Sequence, residues 1–205
     1  MNKEIAFVLG NGITRLQVDC KSLLNYGTVY GCNRIYEEFS PSVLVSTDKE
    51  ISVEIQNSGY SSRNIHYTRE QSKVIDSGAN IIPQPYHGMS SGPAALGVGC
   101  LSNANYLYMI GMDLKGINNK INNIYAGTKF YRKKDDTPTV FENWVNQVES
   151  IMLNYKHKRF IHVNPLDNFI PEQWLQNNNY ETMTLADFQR LINNMHNRIL
   201  KHESN

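Results

Sequence analysis

Cysteine is scarce in this chain of 205 residues: there are three, an odd number, with no C-x-x-C pair. A disulfide frame needs partners and a zinc site needs close spacing, so Cys20, Cys32 and Cys100 read as reduced thiols of a cytoplasmic protein. The six histidines contain no H-x-x-x-H or H-E-x-x-H arrangement, which leaves no histidine-built metal centre to expect. Net charge is nearly missing too. At +1 nothing global draws the chain to nucleic acid, and a duplex partner, held through many phosphates, has no electrostatic support. No run approaches the roughly eighteen apolar residues of a membrane span. The sequence passes from Met1-Asn2-Lys3-Glu4 straight into an apolar strand, too soon for a signal peptide. Internal repeats and low-complexity tracts are absent as well.

What remains is an ordinary globular composition, 40% apolar and 19% charged, enough for one domain over residues 1–205 with a real core. The stretch that organises it comes first. An apolar run from Ile5 to Leu9 ends in Gly10-Asn11-Gly12, a buried strand followed by a turn of the kind that lets a phosphate approach the main chain. A third glycine would complete the dinucleotide fingerprint, but Arg15 occupies its position.

Further strands are expected at Thr28–Cys32, Val43–Ser46, Ile65–Tyr67, Asn80–Ile82, Tyr106–Ile110 and Phe160–Val163. Helical segments are expected at Leu16–Leu24, Arg34–Phe39, Lys49–Gln56, Ala94–Ser102, Val140–Tyr155 and Pro171–Gln176. Val140, Trp144, Val148, Ile151 and Met152 form one apolar stripe. A C-terminal helix over 184–202 carries another, from Leu185 to Ile199, which reads as core or as a contact in a homo-oligomer. Strands alternating with helices indicate an α/β fold with a mostly parallel sheet. The polar stretch 114–139 is long for a compact domain and reads as a lid loop.

Ligands of such sheets sit beyond the carboxyl ends of the strands, where Asn11, Asn33, Asp48 and Asp113 all fall. The two asparagines suit a base edge or a sugar hydroxyl, or simply stabilise their own turns. Asp48 suits a ribose hydroxyl, a metal or the cap of the next helix. Ser90-Ser91-Gly92 opens a helix with Pro93 in its first turn, serving as an N-cap or an anion site. Tyr125, Lys129, Tyr131, Arg132, Lys133 and Lys134 place hydroxyls and cations in the long loop, where they could meet a leaving phosphate.

The words V-L-G-N-G (Val8–Gly12), G-C-N-R-I-Y (Gly31–Tyr36), S-S-G-P-A-A-L (Ser90–Leu96) and Y-L-Y-M-I-G-M-D (Tyr106–Asp113), in that order, resemble the bacterial lipooligosaccharide sialyltransferases, as does the Tyr125-Ala126 pair. A related group, the archaeal hydroxymethylpterin pyrophosphokinase-like proteins, shares the skeleton. The resemblance implies a single Rossmann-like domain that takes a CMP-activated sugar, without metal or other cofactor, and inverts the anomeric centre. It implies donor contacts from Asn11, Gly12, Asn33, Ser91 and Gly92, and a phosphate-side hydroxyl from Tyr125; Gly10, Ser90 and Asp113 are expected in the same binding site from their places in the glycine turn, at the helix start and at the strand end. Where that family has a second phosphate-binding tyrosine this chain has Lys115, a cation able to act in its place. Its donor-contacting asparagine is Asp48 here. Its histidine general base has no counterpart in Asp135–Phe141, which leaves Asp48 and His87 as replacements. The expected function is transfer of a sugar from a nucleotide sugar to an acceptor. The alternatives are a magnesium-dependent pyrophosphokinase using Asp48 and Asp113, and a nucleotide-binding module without catalysis.

Overall fold

Short runs of β-branched and aromatic residues set between turn residues become strands because their side chains pack on a pleated surface buried on both sides. In the computed structural model, which describes residues 4–164 and 168–203, eight such runs form one sheet. They are β1 Ile5–Leu9, β2 Thr28–Cys32, β3 Val43–Ser46, β4 His66–Thr68, β5 Asn80–Ile81, β6 Tyr106–Ile110, β7 Arg159–Val163 and β8 Tyr180–Met183. Every neighbouring pair is parallel, in the order β5-β4-β3-β2-β1-β6-β7-β8. This is an α/β, Rossmann-like sheet. The chain winds outward from β1 to β5, returns, and winds the other way from β6, so its topological switch point lies between β1 and β6. That is where an open sheet leaves a cleft.

The helices are α1 Lys49–Asn57, α2 Ser91–Cys100, α3 Glu142–Asn154, α4 Glu172–Leu175 and α5 Leu185–Glu203. Alternation along β1 divides the core. Ala6 and Val8 face Ala94, Leu96, Val148, Ile151 and Trp174 on the α2–α3–α4 side. Ile5, Phe7 and Leu9 face Ile51, Ile55, Phe188 and Ile192 on the α1–α5 side. There Phe7 meets Tyr108 and Phe188 with ring centroids 5.6 and 6.2 Å apart. Burying one such ring contributes about 1.5–3 kcal/mol, which docks α5 to the sheet. Helix α2 is buried almost all round. Small residues allow this: a Cβ at Gly97 would lie 2.4 Å from the Tyr86 ring.

Several expectations are corrected. Leu16–Leu24 is not one helix; Ile13–Gln17 and Ser22–Asn25 form separate 3-10 turns, and Leu16 in the first is exposed to solvent. The helical turn expected at Arg34–Phe39 is present as a 3-10 turn one residue earlier, Asn33–Glu37. Helix α2 begins at Ser91, earlier than Ala94, because Pro93 fits within a first turn. Val140 precedes α3, is 73% exposed and leaves the stripe, where Val145 joins the buried residues. Strand β8, not anticipated, adds the sheet edge. At the end of α5, Ile199 is exposed.

Candidate functional site

The turn after β1 and the turn after β6 run at backbone contact. Gly10 N donates to Ile110 O and Gly12 N to Gly111 O, both at 2.8 Å. A Cβ at Gly10 would lie 2.3 Å from Gly111 O, and one at Gly12 would lie 2.4 Å from the Asp113 carboxylate. The glycines therefore serve close approach of two strand ends. Asp113 is only 2% exposed; its Oδ2 accepts from Thr14 N at 3.0 Å, while its Oδ1 has no partner.

One strand over, Asn33 follows β2 with φ +53, a left-handed conformation that asparagine tolerates better than most residues. Ser91 Oγ donates to Asn33 Oδ1 at 2.9 Å, accepts from Thr47 N at 3.1 Å and lies 2.8 Å from Thr47 Oγ1. This buried knot joins the ends of β2 and β3 to the first turn of α2. Ser90 is the N-cap residue of α2, yet its hydroxyl makes no cap bond. It accepts from Trp144 Nε1 at 3.1 Å instead, and Ser90 N donates to Gln147 at 3.0 Å. Helix α3 thus grips the cap residue from outside. The first amides of α2 stay available, and the positive end of the helix dipole faces inward.

These groups border one cavity of about 550 Å³. It collects Gly10, Asn11, Gly12, Asn33, Asp48, Ser90, Ser91, Gly92 and Asp113. Asn11 and Asn33 both line it, and Cys32 Sγ lies 3.6 Å from Asn11 Oδ1. Burial pushes the Cys32 thiol up to about 12, so it is no nucleophile. Burial also raises the Asp48 carboxyl above its usual range, with Arg69 acting against the shift and Glu50 adding to it. Asp48 stands at the N-cap position of α1 without capping it. Among the described residues no group of three or more histidine, cysteine or acidic side chains is set to hold a metal.

The 114–139 loop borders the cavity and is pinned by long-range bonds. Ile124 N donates to Asn11 O and Ile13 N to Asn122 Oδ1, both at 2.9 Å. Arg34 Nη1 donates to Lys129 O at 2.9 Å. Deepest is Arg15, 2% exposed, whose Nη2 lies 2.8 Å from both Glu38 Oε1 and the Tyr125 hydroxyl. Tyr125 also donates to Glu38. Burial opposes the charge on Arg15, but Tyr125 and Glu38 outweigh it and raise its pKa.

Three expected site residues stand apart. Tyr125 lies outside the cavity lining, with its hydroxyl committed to Arg15 and Glu38. Lys115 is exposed beside the wall, its ammonium 5.4 Å from the Phe169 ring centroid. His87 sits exposed on the turn before α2, its carbonyl accepting from Arg69 at 3.1 Å. In their place the cavity is lined by Thr47, Glu50, Tyr131, Arg132 and Trp144. Tyr131 and Arg132 were visible in the sequence as part of the loop's cluster. Thr47 and Glu50 gave no signal beyond lying next to Asp48.

A cleft at the switch point of an open parallel sheet is the feature expected of a Rossmann-like α/β domain. No family model matches the chain, and no curated protein matches its sequence. Among solved structures it is similar to the sialyltransferase CstII from Campylobacter jejuni, in complex with a substrate analogue, cytidine-5'-monophosphate. The TM-score is 0.53 at 12% identity, over 81% of this chain and 82% of that one. That likeness is one of fold.

Proposed function

We propose that the chain is a glycosyltransferase that moves a sugar from a CMP-type donor to an acceptor hydroxyl, with no metal in the reaction. The observation that carries this is the cavity at the β1–β6 switch point, which gathers a glycine turn, an amide pair and an open helix start within one wall. The likeness in fold to CstII, whose crystallised ligand is cytidine-5'-monophosphate, supports the choice of nucleotide.

In this reading the phosphate lies against the first turn of α2. The amides of Ser91 and Gly92, together with Arg132, meet negative charge as it grows on the leaving phosphate. A donor of this kind is worth about 2.7–4 kcal/mol of transition-state stabilisation where it has been removed in other enzymes. The acceptor oxygen attacks the anomeric carbon as the C–O bond to phosphate breaks, and the acceptor proton must leave. Among the described residues no histidine lines the cavity, so in this reading that proton goes to Asp48, Glu50, Asp113 or the departing phosphate. His87 lies outside the cavity lining and Tyr125 is bonded to Arg15 and Glu38, so neither acts directly; Lys115 acts through its charge at the rim.

A second reading has one observation in its favour. Asp113 Oδ1 is unpartnered and buried, and together with Asp48 it suits a magnesium ion carrying substrate phosphates, as a pyrophosphokinase needs. Thermal-shift titration with CMP, UDP, GDP and ATP, each with and without magnesium, separates the two. Metal-independent stabilisation by CMP is the expected result. Stabilisation only by magnesium with ATP would replace the first reading by the second. Binding of CMP without turnover of any CMP-sugar across a panel of glycan acceptors would leave a binding module.

A further inference from the structure

Two aromatic residues open helix α3 and are used differently. Phe141, its N-cap residue, packs on Phe169 with ring centroids 4.9 Å apart and on the core behind it. Trp144, in the first turn, has no ring partner among the described residues, stays half-buried and lines the cavity. The other tryptophan, Trp174, is fully buried against His162 and Tyr180. What α3 buries is Val145, Val148, Ile151 and Met152. A tryptophan ring set in a cavity wall rather than in the core is surface that a ligand can cover.

Its orientation is fixed. Trp144 Nε1 donates to Ser90 Oγ at 3.1 Å, and Gln147 on the same helix accepts from Ser90 N at 3.0 Å. Nε1 is the one polar atom of an indole, so with it bonded to Ser90 the ring offers the cavity only flat carbon. Pro93, Met112, Pro138 and Val148 line the same cavity, and Met112 Sδ comes within 3.4 Å of the Cβ position at Gly92. The cavity therefore has an amide-and-carboxylate side at the ends of β1, β2 and β3, and an apolar side against the start of α2.

A pyranose ring matches that apolar side. Its hydroxyls point outward around the rim, while its axial C–H bonds make a flat apolar face. Stacking takes both faces out of water, gains dispersion across the whole contact and leaves the hydroxyls free to bond elsewhere. It also fixes which face of the sugar, and so which hydroxyl, is turned to the donor.

We infer that Trp144 is the platform on which the acceptor's pyranose ring stacks, and that it thereby decides which sugars can be acceptors. The inference rests on the glycosyltransferase reading above and adds the form of the acceptor and the residue that holds it. Ser90, which anchors the indole, directly precedes the Ser91 and Gly92 amides assigned to the phosphate. A ring on Trp144 thus lies next to the bond that breaks, where positioning lowers the barrier.

The test is saturation-transfer NMR of the full chain, with CMP present, on methyl β-D-galactopyranoside, methyl β-D-glucopyranoside and the open-chain polyol galactitol, repeated for Trp144→Phe and Trp144→Leu. The pyranosides should receive saturation most strongly at their ring C–H positions, and galactitol little. Trp144→Phe loses the bond to Ser90 but keeps a flat ring, so it should retain most of the pyranoside signal. Trp144→Leu should weaken pyranoside binding by roughly threefold to tenfold, the contribution of an aromatic contact. Tryptophan emission gives an independent readout, because Trp174 is shielded in the core; the pyranosides should protect Trp144 from acrylamide quenching. Equal signals from the pyranosides and galactitol, or quenching that the pyranosides do not change, would overturn the platform. Equal losses in the phenylalanine and leucine variants would overturn it too, and would assign Trp144 to bracing Ser90. A missing thermal shift with CMP would overturn the nucleotide reading alone, since the pyranoside arms run without nucleotide still decide on Trp144.

Discussion

Ser91 Oγ and Asn33 Oδ1 are joined by a hydrogen bond of 2.9 Å that spans 58 residues of sequence and ties β2 to the first turn of α2. Asn33 thus does two things: it holds a left-handed turn and it presents an amide to the cavity. Asn33→Ala should remove nucleotide stabilisation and also lower stability by about 1–3 kcal/mol, from the strained φ and the broken knot. Asn33→Gly relieves the backbone but still lacks the amide. It should therefore recover part of the stability and none of the nucleotide shift. A thermal shift with CMP that survives in the glycine variant would remove Asn33 from the binding wall.

The glycine turn makes a separate prediction. A Cβ at Gly12 would sit 2.4 Å from Asp113 Cγ and Oδ2, so Gly12→Ala must push Asp113 off Thr14 N. The expected loss is about 1–3 kcal/mol in urea unfolding, the usual range for an overpacked site. Gly88→Ala, where nothing lies within 4 Å of the added carbon, is the control and should leave the midpoint where it was. Equal midpoints for the two variants would mean that the β1 and β6 turns are not in close contact.

Much of this arrangement was legible in the sequence, for a physical reason. β1, β2, β3 and β6 are short runs buried on both faces and stopped by turn residues, so composition alone marks them. Strand β8 was not legible: Tyr180-Glu181-Thr182-Met183 lies at the sheet edge, with Glu181 and Thr182 exposed, and has no apolar run to announce it. Val18-Asp19-Cys20 interrupts what looked like a helix from Leu16, leaving two 3-10 turns. The same contrast runs through the site. Residues at strand ends are placed by the sheet, so Asn11, Asn33, Asp48 and Asp113 could be read off in advance. Tyr125 could not be, because its partners Arg15 and Glu38 are 110 and 87 residues away and only the folded loop brings them together. Arg15, which looked like a blemish in a glycine fingerprint, is what secures that loop.

Buried histidines give stability a pH dependence. His66 is enclosed between Ser46 and Ser61, with 2.7 Å bonds from each ring nitrogen, and burial lowers its pKa to about 4. His162, bonded to Tyr180 at 3.0 Å, is lowered to about 4 by the same cause. In the unfolded chain both titrate near the ordinary value of about 6.5. Between those limits the unfolded state binds more protons, so stability is fully present above about pH 7 and is lost as pH falls toward 4. Each histidine should contribute on the order of 3 kcal/mol to that loss, at about 1.4 kcal/mol per pKa unit. Urea midpoints at pH 7, 6, 5 and 4.5 should fall steadily, and His66→Gln should flatten the slope. A flat profile in the wild type would mean that these rings are not buried neutral.

Loop 114–139 is held by the Arg15–Glu38–Tyr125 contact at one point and by Arg34 and Lys129 at another, while Lys133 and Lys134 at its surface remain exposed to trypsin. Tyr125→Phe removes one hydroxyl that serves the buried Arg15 and the more exposed Glu38, and leaves the Arg15–Glu38 ion pair in place. The loss of such a hydrogen bond costs about 1–3 kcal/mol, too little to unfold the domain but enough to release the loop locally. The variant should therefore be cut within 129–134 several times faster than the wild type, with the rest of the chain resistant. CMP should protect the wild-type loop, because Tyr131 and Arg132 belong to the cavity wall, and should protect the variant less. If the variant and the wild type are cleaved at equal rates, Tyr125 does not hold the loop, and its hydroxyl would again be a candidate for the substrate.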